Sequence, residues 1–127
     1  MKRKTVALLF ILALVFPAST TLLAADQVVL RVIVVKTDNP DGYVKELEKG
    51  KALLKKLGSS AVIRVWRARF AGPETGSMVV SVEYPSLAAV VKDEAAAQAS
   101  AEYQAWFKGL DKIRHVTSDS LYNELTP

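Results

Sequence analysis

The chain has 127 residues, no cysteine, one histidine, and 17 Lys and Arg against 13 Asp and Glu, a formal net charge of +4. The lack of cysteine excludes disulfides, a lipid-anchoring thiol, thiolate metal ligation and a cysteine nucleophile. A single histidine with scattered carboxylates offers no metal site of standard spacing, so neither metal nor cofactor is expected.

The first 25 residues read as an export signal. Lys2, Arg3 and Lys4 form a basic start, residues 6–16 an apolar core of 11, and Pro17 to Ala25 a small-residue tail. A membrane-spanning helix needs about 20 apolar residues, so a cleaved signal is favoured over an uncleaved anchor. The expected organisation is a signal at 1–25 and one domain at 26–127, periplasmic or secreted, with no membrane span left after cleavage. The signal removes three basic residues and no acidic one. Residues 26–127 then hold 14 basic and 13 acidic residues, a net charge of +1. That balance gives no concentrated basic face, so no nucleic acid is expected as a partner.

Residues 27–36 are β-branched and almost wholly apolar, a strand buried on both faces. Thr37 to Gly42 is a turn cluster that caps a helix running to Leu57, with Gly58 placed to end it. Tyr43, Leu47, Gly50, Leu54 and Leu57 make its apolar stripe, and Gly50 is read as a close approach to the sheet. A mixed strand at 61–70 carries Arg64, Arg67 and Arg69. A loop at 71–76 leads to an apolar strand at 77–84. Pro85 is expected to open the next helix, which should break near residues 98–100. Tyr103, Trp106, Phe107 and Leu110 follow at helical core spacing, and 112–125 is the last strand.

The order βαββαβ implies an α+β, ferredoxin-like fold, a four-stranded antiparallel sheet with its helices on one face. Strands one and three should be central, because they are the apolar ones. Helices cover one face only, so the apolar residues of the other face predict a homodimer that closes sheet on sheet. The alternative is that they line a ligand pocket in a monomer.

Val82-Glu83-Tyr84-Pro85-Ser86-Leu87 and Ser118-Asp119-Ser120-Leu121-Tyr122, with the order of elements, carry a resemblance over residues 27–125. The chain resembles the dimeric α/β-barrel superfamily related to antibiotic-biosynthesis monooxygenases. That resemblance implies a barrel across a dimer and a cleft between each sheet and its helices. It covers cofactor-free oxygenases, haem-degrading enzymes and proteins of unassigned role, so it does not name a reaction. The haem-degrading members hold their axial histidine on a helix, whereas His115 falls on a predicted strand.

Five residues are candidates for chemistry. His115 and Glu83 are the candidate bases, His115 for its ordinary pKa and Glu83 as a carboxylate in an apolar strand. Each has a plain alternative, an exposed edge histidine and an ion pair with Arg64, Arg67 or Arg69. Arg64, Trp66 and Tyr84 are candidate ligand-binding residues, an aromatic floor with a cation that suits an organic acid. Trp66 and Arg64 would otherwise pack in a dimer interface. Three functions remain open: binding of a small apolar or aromatic ligand, cofactor-independent monooxygenation, and a structural or partner-binding role.

Overall fold

β1 (Val29–Lys36) and β3 (Met78–Tyr84) pair antiparallel at the centre of a sheet ordered β2-β3-β1-β4, with β2 (Val62–Arg67) and β4 (His115–Asn123) at its edges. The computed structural model describes residues 27–126. The expected export signal at 1–25 lies outside the described residues. The α+β, ferredoxin-like arrangement follows the expected order, and the apolar strands are the central ones.

Three helices lie on one face: α1 (Pro40–Lys56), α2 (Leu87–Ala99) and α3 (Ala101–Leu110). Asn39 caps α1, its Oδ1 accepting from the Gly42 N–H at 3.0 Å, with Pro40 opening the first turn. Gly58, at φ +82°, ends α1, and the Ser59 N–H donates to the Leu54 carbonyl at 3.0 Å. This left-handed glycine cap satisfies carbonyls that the helix leaves open. Pro85 does not begin α2. Leu87 does, with Ser86 as the cap, because the Ser86 Oγ accepts from the Ala89 N–H at 3.1 Å and proline has no such group. The expected break falls at Ser100, which is extended and caps α3 through its Oγ and the Tyr103 N–H.

The strand period sends alternate residues to opposite faces. Val29, Val35, Val80 and Val82 of the sheet meet Leu47 and Leu110 of the helices in the core. Burial of each such side chain contributes roughly 1.5–3 kcal/mol. Leu30, Val32, Val34 and Val79 turn to the uncovered face. β4 has a register shift opposite Val34 and Val35 and stays largely exposed along its length.

Gly50 is buried, but its close neighbour is not the sheet. A Cβ there would sit 2.2 Å from ring carbons of Trp106 on α3. The indole Nε1 donates to the Glu46 carbonyl at 3.0 Å, so Trp106 lies across α1. The glycine is what lets the two helices meet through a tryptophan.

Candidate functional site

Between the sheet and the helices lies a cleft of about 350 Å³. That is the low end of the range for small-molecule sites, roughly 300–1,000 Å³. Its floor is the inward row Arg31, Ile33, Ile63, Val80, Val82 and Tyr84. Tyr103, Trp106 and Phe107 of α3 form an aromatic wall. The rings of Tyr103 and Phe107 stack at 6.1 Å and 15°, and Trp106 tilts against Tyr103 at 5.3 Å. Edge and offset contacts of this kind favour another flat ring beside them.

Polar groups are few and placed. Arg31 stands in the floor and reaches Asp119 of β4, with Nε donating to Oδ1 at 2.8 Å and Nη2 to Oδ2 at 2.6 Å. This hydrogen-bonded pair raises the Arg31 guanidinium further and holds the Asp119 carboxyl below the usual carboxylate range. Asp93, buried on α2, accepts a hydrogen bond from the Ser59 hydroxyl, which itself accepts from the Ala61 N–H at 3.1 Å. Arg114, just after α3, donates from Nη1 to the Tyr43 hydroxyl at 3.2 Å and lies 5.2 Å from the centre of the Phe107 ring.

Tyr84 and Tyr103 are raised above their ordinary pKa by burial, and Arg31 opposes the shift in both. Their hydroxyls therefore stay protonated through neutral pH and are able to donate to a ligand. A cleft of this kind can hold a flat apolar body and orient it by a few hydrogen bonds.

The five residues singled out from sequence do not gather here. Tyr84 lines the cleft and is 6% exposed. Glu83, its neighbour, points to the opposite face, where Arg64 Nη1 contacts its Oε2 at 3.2 Å. Trp66 shares that open face with Arg64, is 54% exposed, and donates from Nε1 to the Ser81 hydroxyl at 2.8 Å. His115 begins β4, exposed, in a separate depression with Lys36, Asn39 and Lys112. The pair Trp66 and Arg64 is not part of the cleft, whose aromatic wall comes from α3 and whose arginines are Arg31 and Arg114. The carboxylates that line the cleft are Asp93 and Glu94 rather than Glu83.

Sequence reasoning missed Arg31, Asp93 and Arg114. Two of them carried a signal. Arg31 interrupts an apolar run at an inward position of a central strand, and Asp93 stands in the buried stripe with Val90 and Ala97. Arg114 lies in a connection and gave none.

No protein-family model matches the chain, and no curated protein sequence matches it. Solved structures do. A NIPSNAP family protein from Agrobacterium tumefaciens superposes with a TM-score of 0.61 at 13% identity, over 80% of this chain and 87% of its own. SnoaB, a cofactor-independent oxygenase from Streptomyces nogalater, gives 0.59 at 13% identity, over 81% and 97%. An antibiotic-biosynthesis-monooxygenase-like protein from Nitrosomonas europaea gives 0.53 at 16% identity, over 81% and 93%. At these identities the likeness speaks for the fold alone. The chain thus has the ferredoxin-like α+β fold of the antibiotic-biosynthesis-monooxygenase-like, NIPSNAP and SnoaB structures.

Proposed function

We propose that this chain is an exported, homodimeric domain that binds a small apolar or aromatic ligand between its sheet and its helices. The observation that carries the reading is the cleft itself, an apolar floor under an aromatic wall with two tyrosine donors. Export rests on the basic, apolar and small-residue order of residues 1–25. The dimer rests on the uncovered apolar residues of the central strands and on the exposed aromatics Trp66 and Tyr122.

A second reading, cofactor-independent oxygenation, draws on the fold shared with SnoaB and on Asp93, a buried carboxylate in the cleft. Such chemistry asks of a protein a dry pocket, an oriented base and a well-placed substrate. Asp93→Asn separates the two. Loss of turnover with retained binding favours the oxygenase, whereas loss of neither leaves the binder.

Native mass spectrometry of the protein from the exported fraction of its host tests the first reading. The expected species starts near Asp26, has twice the monomer mass and carries a small organic molecule. Ala97→Phe, which places a ring in the cleft beside α2, should release that molecule and leave the dimer. A bare monomer retaining residues 1–25 would overturn the reading.

A further inference from the structure

Three cations line the cleft, Arg31, Lys51 and Arg114, and two of them are held in ion pairs. Lys51 at the rim pairs with Glu48 at 2.7 Å, and Arg31 with Asp119. Arg114 enters none of the ion pairs of the described residues. Its Nη1 donates to the Tyr43 hydroxyl, its Nε is buried with no hydrogen-bond partner among the described residues, and the side chain lines the cleft. Asp119 also feels the charge of Arg114, but both of its oxygens are taken by Arg31. Asp93 is engaged by Ser59, and Glu94 is exposed on α2.

A half-buried guanidinium packed on an aromatic ring is costly to hold without an anion. Phe107 offsets part of that cost through its π face, and Tyr43 part through its hydroxyl. A ligand that brings its own negative charge supplies the rest. Guanidinium groups are suited to this role, because they bind carboxylates by directed hydrogen bonds and stack on rings.

We propose, resting on the ligand-cleft reading above, that the cleft selects planar aromatic acids, with the carboxylate on Arg114 and the ring against Tyr103 and Phe107. Tyr84 and Tyr103 then donate to a second oxygen of the same ligand. Neutral aromatics of equal size enter the same space without the ion pair and bind more weakly.

Calorimetric titration of the full chain with 2-naphthoate and with its neutral amide, 2-naphthamide, tests the selection. The acid should bind tighter by about tenfold or more, the worth of one hydrogen bond to a charged group. Arg114→Gln should bring the acid down to the affinity of the amide, and Arg114→Lys should restore part of the difference. Ala97→Phe should remove both. Equal affinities in the unmodified protein would overturn the acid selection and leave the ligand-cleft reading standing. Binding of naphthoate that survives Ala97→Phe would place the anion elsewhere and overturn it as well. Failure of both compounds to bind would overturn the cleft reading with it. The unmodified comparison decides the matter even if Arg114→Gln does not fold.

Discussion

Along β1 the residues under the helices are Val29, Arg31, Ile33 and Val35, and those on the uncovered face are Leu30, Val32 and Val34. The covered row carries a charge in its middle, whereas the uncovered row is apolar until Lys36 at the end of the strand. This inverts the usual expectation that polar residues face out. The inversion has a reason on each side. Under the helices, Arg31 is tied to Asp119 and stands at a cleft that wants a polar group. On the uncovered face, an apolar row has value only when something covers it.

The two faces also differ in how rigidly they are specified. On the covered face Trp106 lies in the space left by Gly50, and its indole is fixed to the Glu46 carbonyl. Gly50→Ala should therefore cost about 2 kcal/mol, because the overpacking outweighs the gain in helix propensity. In a Trp106→Ala background the same substitution should become stabilising by about 0.5–1 kcal/mol, the ordinary advantage of alanine over glycine in a helix. A double-mutant cycle by urea unfolding reads the change of sign directly. Additive effects would mean that the glycine serves some other contact.

The uncovered face gives a smaller effect on the monomer and a different signature. Trp66→Lys removes an exposed indole, and with it the cover on the Ser81 hydroxyl. In a monomer the change should cost about 1 kcal/mol, the worth of the hydrogen bond lost to the buried Ser81 hydroxyl. In a sheet-to-sheet dimer it should halve the mass in solution and abolish the dependence of Tm on protein concentration. Analytical ultracentrifugation with thermal melts at several concentrations separates the two. A Tm independent of concentration in the unmodified protein would remove the dimer from the proposed function.

The order of elements, the central and edge strands and the break at Ser100 were legible, because each rests on a local rule: apolar runs, arginines at edges, a capping residue. Gly58 was legible for the same reason. The site was less so. Glu83 and Tyr84 are adjacent in a strand, so the period of two sends them to opposite faces, and no site can use both from one side. In β2 both rows pair two apolar residues with one arginine, Val62, Arg64 and Trp66 against Ile63, Val65 and Arg67, so pattern alone does not say which row faces the helices. The register with β3 decides it. Arg114 required the tertiary fold, because its partners come from α1 and α3 while it lies in the connection that follows.

The smallest expected effect concerns the pair that joins the floor of the cleft to the edge strand. Asp119 has a folded-state pKa below its ordinary value, chiefly through its hydrogen bond to Arg31. A depressed carboxylate contributes stability above its unfolded pKa and loses it as the pH falls through the folded value. The unmodified protein should therefore lose more stability than Asp119→Asn on acidification from pH 5 to below about pH 4. Both side chains are partly open to solvent, at 31% and 40%, so the difference should stay under about 1 kcal/mol and shrink in high salt. Urea unfolding at pH 7, 5 and 3 measures it. A parallel decline of the two proteins would mean that the pair orients Arg31 in the cleft without stabilising the fold, and naphthoate affinity, rather than stability, would then be the quantity that Asp119→Asn changes.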